Sequence, residues 1–332
     1  MDHSPVRTLA RAPVFDGWLR VGSLSIRASI EHESDRHALD AMFKQCLVPL
    51  GDGAAPAETE GTLSVARVAE WERSDLAARV EPDGLLVDRR GATLRVATEV
   101  VTASLTRSNT PWHAEVRVRA GSLAHDSLRV HLSVVLHRLL LALDAAYLHA
   151  AAVSVNGVAH LFVGEKGAGK TTLCLSLARR GATVLSDDHV LVRRRGNDYV
   201  VSGCERLSRV TAQTEAFLFE RPLAVDAADF AGTTKKEFTV ADHFRSAPFE
   251  DTPIHAIHFP RVGRGLASRR RSAMETTVDL LGRTRKSYRP KGPDDVAALL
   301  HFWSGLAACA PAYALELSAE LEQLTRIDAV LA

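Results

Sequence analysis

Apolar positions change their period several times along the chain, and each change marks an element. Leu24, Ile26, Ala28 and Ile30 alternate at period two within WLRVGSLSIRASI, which predicts a strand. From Asp35 to Leu47 the apolar residues Leu39, Met42, Phe43 and Cys46 recur at helical spacing. GDGAAPAETEG is a loop by composition, GLLVDRRGATLRVATEV reads as a hairpin, and WHAEVRV as a further strand. These elements make residues 1–120 an N-terminal α+β module. It holds no chemistry-bearing set of side chains, so its expected role is packing or the docking of a substrate or partner.

From Asp126, a candidate N-cap, to about Tyr147, Leu128, Leu132, Val135, Leu136, Leu139, Leu140 and Leu143 form one wide apolar face. That predicts a helix linking, over 121–147, into a second domain spanning 148–332. There the period shortens again. LHAAAVSV and VAHLFVG flank Asn156-Gly157, the strongest short hairpin signal. With a two-residue turn, Val155 faces Val158 and the pairing runs outward until His149 stands opposite Gly164. A strand AHLFV, a loop GEKGAGKT, a helix TTLCLSLARR stopped by Gly181 and a strand ATVLSDD follow in order. Strand–helix–strand units this short are parallel and right-handed, so both strands end on one edge of the sheet, as near or immediate neighbours.

The loop matches G-x-x-x-x-G-K-[ST] over Gly164, Glu165, Lys166, Gly167, Ala168, Gly169, Lys170 and Thr171, with Thr172 next in the helix. Closely spaced backbone N–H groups in such a loop form a concavity for phosphate oxygens. The lysine reaches the outer phosphates, the hydroxyl can ligate magnesium, and the helix adds its positive N-terminal end. Asp187 and Asp188 then arrive beside it. Two aspartates at a strand end commonly cap a turn; beside a phosphate loop they suit magnesium and proton chemistry. The hairpin register brings His149 to the same edge, while His160 reads as a structural histidine. Positioned acid–base groups beside a phosphate loop serve transfer rather than mere binding.

Composition bounds the rest. The 332 residues suggest two domains, and 46% hydrophobic with 24% charged residues is ordinary for a globular chain. A net charge of +1 gives no bulk case for nucleic-acid binding. Basic residues gather at Arg193–Arg195, at Arg269–Arg271, and in the run Arg283, Arg285, Lys286, Arg289 and Lys291. They make solvated faces, or a rim for a phosphorylated or acidic partner. The four cysteines (Cys46, Cys174, Cys204, Cys309) are scattered, which fits a reducing cytoplasm and no zinc or disulfide framework. MDHSPVRTLARAPVF lacks an apolar core with a cleavage site, so no signal peptide is expected. LRVHLSVVLHRLLLALDAAYLHAAAV is interrupted by His131, His137, Arg138 and Asp144, so it is expected to be a buried helix and not a membrane span. The late basic segments and DVAALLHFWSGLAACA are expected to cover the second domain or to make contacts in a homo-oligomer.

His149, the loop Gly164–Thr171 and the SDD of Ser186–Asp188 stand in the order seen in the HPr kinase/phosphorylase family, and over about Leu148–Leu191 the chain resembles its catalytic domain. That resemblance implies an α/β P-loop kinase domain using ATP and Mg2+ to phosphorylate a hydroxyl, serine first, of a protein or peptide. It implies that Lys170 binds phosphates, that Thr171 and Asp188 organise magnesium, and that Asp187 takes the hydroxyl proton with His149 close by. Glu205 in SGCERLSRV is the candidate for the family's later metal-ligating glutamate. Lys235 and Lys236 in GTTKKEF are either an exposed pair or part of a loop reaching the phosphates. Two other readings stay open: a kinase of a small-molecule metabolite on the same fold, and a nucleotide-dependent switch or scaffold. A guanine-reading motif is poorly matched, because TTKKE has glutamate where aspartate is expected.

Overall fold

The computed structural model describes residues 12–43, 47–50, 59–69, 80, 84–107, 111–120, 125–230, 232–287 and 293–327. Two compact units divide the chain, one holding Leu24–Ala142 with residues up to Arg20, the other Leu143 onward with Val21–Ser23. It is a mixed α/β chain with several sheets.

In the first unit the described strands are β1 (Phe15–Val21), β2 (Leu24–Ile30), β3 (Leu47–Pro49), β4 (Gly61–Val68), β5 (Leu86–Arg90), β6 (Thr93–Ala97), β7 (Val101–Thr106) and β8 (Trp112–Arg119). They form one sheet in the order β3-β1-β2-β4-β8-β7-β6-β5. The long N-terminal strand signal is thus two strands, broken at Gly22, whose φ of 58° suits glycine. β5 and β6 are the expected hairpin. Helix α1 (Glu33–Phe43) starts and stops earlier than the apolar spacing suggests, and Cys46 lies outside the described residues. Helix α2 (His125–Ala142) packs on α1, β6 and β7. It also ends before Tyr147. Asp144 takes a left-handed φ of 54°, and Ala145–His149 continues as strand. The apolar run carries both elements because a buried helix and a buried strand read alike.

The second unit contains β9 (Ala145–His149), β10 (Ala151–Val155), β11 (Val158–Phe162), α3 (Lys170–Arg179), β12 (Thr183–Ser186), β13 (His189–Arg195), β14 (Asp198–Gly203), β15 (Leu207–Val210) and α4 (Ala212–Leu218). It continues with β16 (Ala227–Asp229), β17 (Thr234–Thr239), β18 (Thr252–Gly263), β19 (Ala267–Arg270), α5 (Ala273–Ser287), α6 (Pro293–Cys309) and β20 (Ala312–Ser318). The main sheet runs β12-β10-β11-β18-β14-β13-β9, with β20 beside β18 and β19 beside β20. β15, β17 and β16 form a small separate sheet. Helix α3 packs on β10 and β12, burying Leu173, Cys174, Leu175 and Leu177 against Phe162, Val184, Leu315 and Leu317. Helices α5 and α6 pack together and reach β9 and β14.

The hairpin register is as the sequence predicts. Ala151 faces Phe162 and Val155 faces Val158, and the turn residues Asn156 and Gly157 have φ of 52° and 84°, the doubly positive pair of a type I′ turn. β10 runs antiparallel to both β11 and β12. The strands before the loop and after α3 are therefore parallel to one another with β10 between them.

One irregularity of this sheet positions the aspartate pair. His149 of β9 faces His189 of β13, and Ala152 of β10 faces Ser186 of β12. Ala145–Val155 and Thr183–Arg195 thus form a two-part antiparallel ribbon, interrupted at Asp187–Asp188 and with a register shift between Ala152 and Val153 that leaves Leu185 as the extra residue. On one side of the interruption the ribbon pairs with β11, on the other with β14. Asp187 and Asp188 occupy that interruption. Gly203 ends β14 there, and a Cβ on it would lie 1.7 Å from the Leu185 carbonyl oxygen and 3.0 Å from the Ser186 Cβ.

Deeper in the sheet, His160 Nδ1 and His258 Nε2 are 3.1 Å apart, and the His258 ring stacks on Tyr313. One nitrogen must donate and the other accept, so the accepting ring is neutral. Burial lowers the pKa of His160 to about 4, with His255 adding to the effect. Burial and the neighbouring His160 and His255 lower that of His258 to about 3. None of the described helices is long and apolar enough to cross a membrane.

Two outcomes are expected. Gly203→Ala forces the β14 end away from Leu185, destabilising the protein by about 1–3 kcal/mol, and a lowered melting temperature checks this. The buried imidazoles hold fewer protons folded than unfolded, so their contribution is intact above the free value of 6.5 and is lost as pH falls from 6.5 toward about 4. Thermal melts across that range should show the loss, and His160→Gln should make the pH profile shallower.

Candidate functional site

The loop between β11 and α3 owes its shape to two glycines. Gly167 and Gly169 have φ of 83° and 89°, a region that side-chain-bearing residues rarely adopt. Gly169 caps α3 in this conformation, and nothing lies within 4 Å of where a Gly167 Cβ would sit. Gly181, with φ of 100°, closes the other end of the helix, its N–H donating to the Ala178 carbonyl oxygen at 2.9 Å. Glu165, Lys166 and Gly167 are exposed at the loop's crest, whereas Gly164 and Lys170 are buried.

Lys170 folds back under the loop. Its Nζ donates to the Gly164 carbonyl oxygen at 2.9 Å and the Glu165 carbonyl oxygen at 3.1 Å. Burial pushes its pKa below the ordinary lysine value, and Arg283 adds to this, while Asp188, Asp187 and Glu165 oppose it. The ammonium is thus within electrostatic reach of both aspartates. Arg283, on α5, also forms an ion pair with Glu165, which brings a second cation to the loop.

The two aspartates have different partners. Asp187 is buried and accepts a 2.6 Å hydrogen bond from Ser208 Oγ on β15. Asp188 is half-buried, with His149 Nδ1 2.7 Å from its Oδ1 and His189 Nδ1 3.4 Å from its Oδ2. The Ser186 hydroxyl accepts from the Asp188 and His189 backbone N–H groups at 3.4 and 3.3 Å, which shapes the turn. The His189 ring stacks on Tyr147, centroids 5.1 Å apart, and its Nδ1 is 3.4 Å from Glu205 Oε1. One donor atom from each of His149, Asp188 and His189 lies within 4.8 Å of the others.

Most of the predicted site residues therefore fall into two adjoining groups. One gathers Glu165, Lys170 and Asp187 around the loop; the other gathers His149, Asp188 and Glu205. Asp188 belongs to both. Thr171 is half-buried at the start of α3, beside Ala168 and Gly169. The Thr172 hydroxyl is turned toward α4, where it meets Thr214 Oγ1 at 3.0 Å. His149 does not extend the β10–β11 ladder toward Gly164, because the chain leaves that ladder at Ala151 and His149 pairs with His189 instead. Lys236 is held by Glu215 at 3.0 Å and the Leu223 carbonyl oxygen at 2.9 Å, so it has a structural role. Lys235 lies in β17 opposite Ala228. Of the late basic run, the side chains of Arg285, Lys286, Arg289 and Lys291 lie outside the described residues.

Sequence reasoning missed three residues. His189 directly follows the aspartate pair, and treating SDDH as one unit would have found it. Arg283 was visible only as part of a charge run, and Ser208 carries no sequence signal at all.

Comparison with known proteins bears on the same segment. Residues 141–213 match the family described as the HPr Serine kinase C-terminal domain. The HPr kinase/phosphorylase of Burkholderia lata is 34% identical over 102 residues, which is 31% of this chain and 29% of that relative. That of Burkholderia cenocepacia gives the same identity and the same shares. The chain thus spans under a third of the length of the curated relatives it matches. Among solved structures, the Hpr(Ser) kinase/phosphatase from Coxiella burnetii aligns over 55% of this chain and 91% of its own, with 12% identity and a TM-score of 0.28. The family match contains His149, the glycine loop, both aspartates, Glu205 and Ser208.

Proposed function

We propose that the chain is an ATP- and Mg2+-dependent phosphotransferase, an HPr kinase-like α/β P-loop kinase domain joined to an N-terminal α+β module. It transfers the γ-phosphate to a hydroxyl, serine of a protein or peptide first among the acceptors. The observation that carries this reading is the buried Lys170 ammonium, under a glycine loop and within reach of two carboxylates. A holder of nucleotide alone has no use for Asp187 and the His149–Asp188 pair.

The donor set suits the expected ligands. Loop N–H groups, the α3 N-terminus and Lys170 match phosphate oxygens, and Thr171, Asp188 and Glu205 offer the oxygen ligands that magnesium takes. When bound, the metal would neutralise charge developing on the transferring group. The protein's own residues supply the remainder. Lys170, now hydrogen-bonded to loop carbonyls, would exchange those partners for phosphate oxygens. Arg283 adds positive charge at the loop beside Glu165. Ser208 grips one Asp187 oxygen and so fixes the carboxylate that would receive the acceptor proton as the hydroxyl oxygen bonds to phosphorus. Burial of Asp187 and Lys170 strengthens both interactions by excluding water.

The named relatives act in connection with HPr, but the shared segment covers too little of them to carry that acceptor across. Asp187→Asn should lower acceptor-dependent ADP formation by about 10²–10⁴-fold while ATP affinity, read by calorimetry, stays within a few-fold. Unchanged phosphotransfer in that variant would refute the assignment. Labelled ATP with a cell extract decides the acceptor: label in macromolecules supports serine of a protein or peptide, and label confined to small compounds replaces it with a metabolite.

A further inference from the structure

The second group of side chains at the sheet interruption has a chemistry that magnesium does not explain. His149, Asp188 and His189 bring two imidazoles and one carboxylate to a common point, one donor atom of each within 4.8 Å of the others. Magnesium selects oxygen ligands and octahedral geometry. Two nitrogens with one carboxylate oxygen are the donors of zinc, iron, cobalt or manganese. We propose that His149, Asp188 and His189 bind a first-row transition-metal dication, and do so without nucleotide. The proposal rests on the kinase reading only for its purpose, since the cation would sit beside the loop, and it gives Asp188 to this cation, leaving Thr171 and Glu205 for magnesium.

Four features of the fold prepare the site. His149 and His189 are paired across β9 and β13, so their spacing is set by ladder hydrogen bonds and not by loop conformation. Stacking on Tyr147 orients the His189 ring. Ser186 Oγ fixes the backbone of Asp188 and His189. Glu205 Oε1, 3.4 Å from His189 Nδ1, adds a carboxylate beside the site. Asp188 has one oxygen toward each imidazole, at 2.7 and 3.4 Å, which is how a carboxylate between two nitrogen ligands is placed. Three protein ligands leave a coordination position open, as in metal sites that act on a substrate oxygen. His149 needs only a tautomer shift, its Nδ1 proton passing to Nε2, to present Nδ1 to the ion.

The test is a titration of chelator-treated full-length protein with Co2+, followed by visible absorption and equilibrium dialysis. One ion per chain is expected, with the strong absorption of a nitrogen-containing, low-coordinate site. His189→Ala and His149→Ala should each weaken binding by about tenfold or more, whereas the exposed His37→Ala should not change it. Weak octahedral absorption by the wild type, or affinity unchanged in both site variants, overturns the proposal; the wild-type spectrum alone decides it if a variant misfolds. ADP binding in Mg2+ is measured in parallel on wild type and on Lys170→Met. Loss of ADP binding with Co2+ retained separates failure of the nucleotide reading from failure of the metal site.

Discussion

A two-stranded antiparallel ribbon can serve two sheets only if it gives up pairing somewhere along its length. Here His149 pairs with His189 on one side of the break and Ala152 with Ser186 on the other, and the register shifts by one residue just beyond Ala152, so the irregularity spans Leu185 to Asp188. At that point the backbone leaves the ladder, and the Asp187 and Asp188 side chains find polar partners. Gly203 allows the close backbone approach that the split demands. Everything chemically interesting in the second unit collects there, because the break is where a rigid sheet has groups left over to offer.

The glycine loop reaches the same edge by a different route. β11 pairs in register with β10 through a tight turn and runs parallel to β18, so its C-terminal end, and the loop after it, is fixed by strands on both sides. Helix α3 then returns the chain to β12, which lies next to β10. The loop and the aspartates are thus held by the same strand, β10, from its two flanks. That is why the Lys170 ammonium and both carboxylates interact although long elements separate them in sequence. Helix α5 adds Arg283 from outside this frame.

Much of this was legible in the sequence, and the parts that were not have physical causes. Asn156-Gly157 specified its turn and with it the register of five residue pairs, because the doubly left-handed conformation tolerates few other dipeptides. The loop and its helix were legible because glycines at Gly167, Gly169 and Gly181 occupy left-handed positions. The end of α2 was not, since Ala145 to Leu148 is apolar whether coiled or extended, and only tertiary pairing of β9 with β13 settles it. Extending the hairpin ladder to His149 failed for the same reason: a strand may change partners without any change in its own pattern. Ser208 and Arg283 belong to elements brought in from afar, and no local signal reports such neighbours.

The two aspartates, though adjacent, do not share partners. Both lie in the bend between β12 and β13, outside either strand. Asp187 turns inward to Ser208 and Asp188 outward to His149 and His189. Lys170 feels both, Asp188 more strongly. A buried carboxylate held by a single hydroxyl and a half-buried one between two imidazoles differ in solvation and in the cations that they can stabilise. If a proton is to be taken and a cation held within one residue of each other, the separate partners of the two side chains keep the two jobs apart.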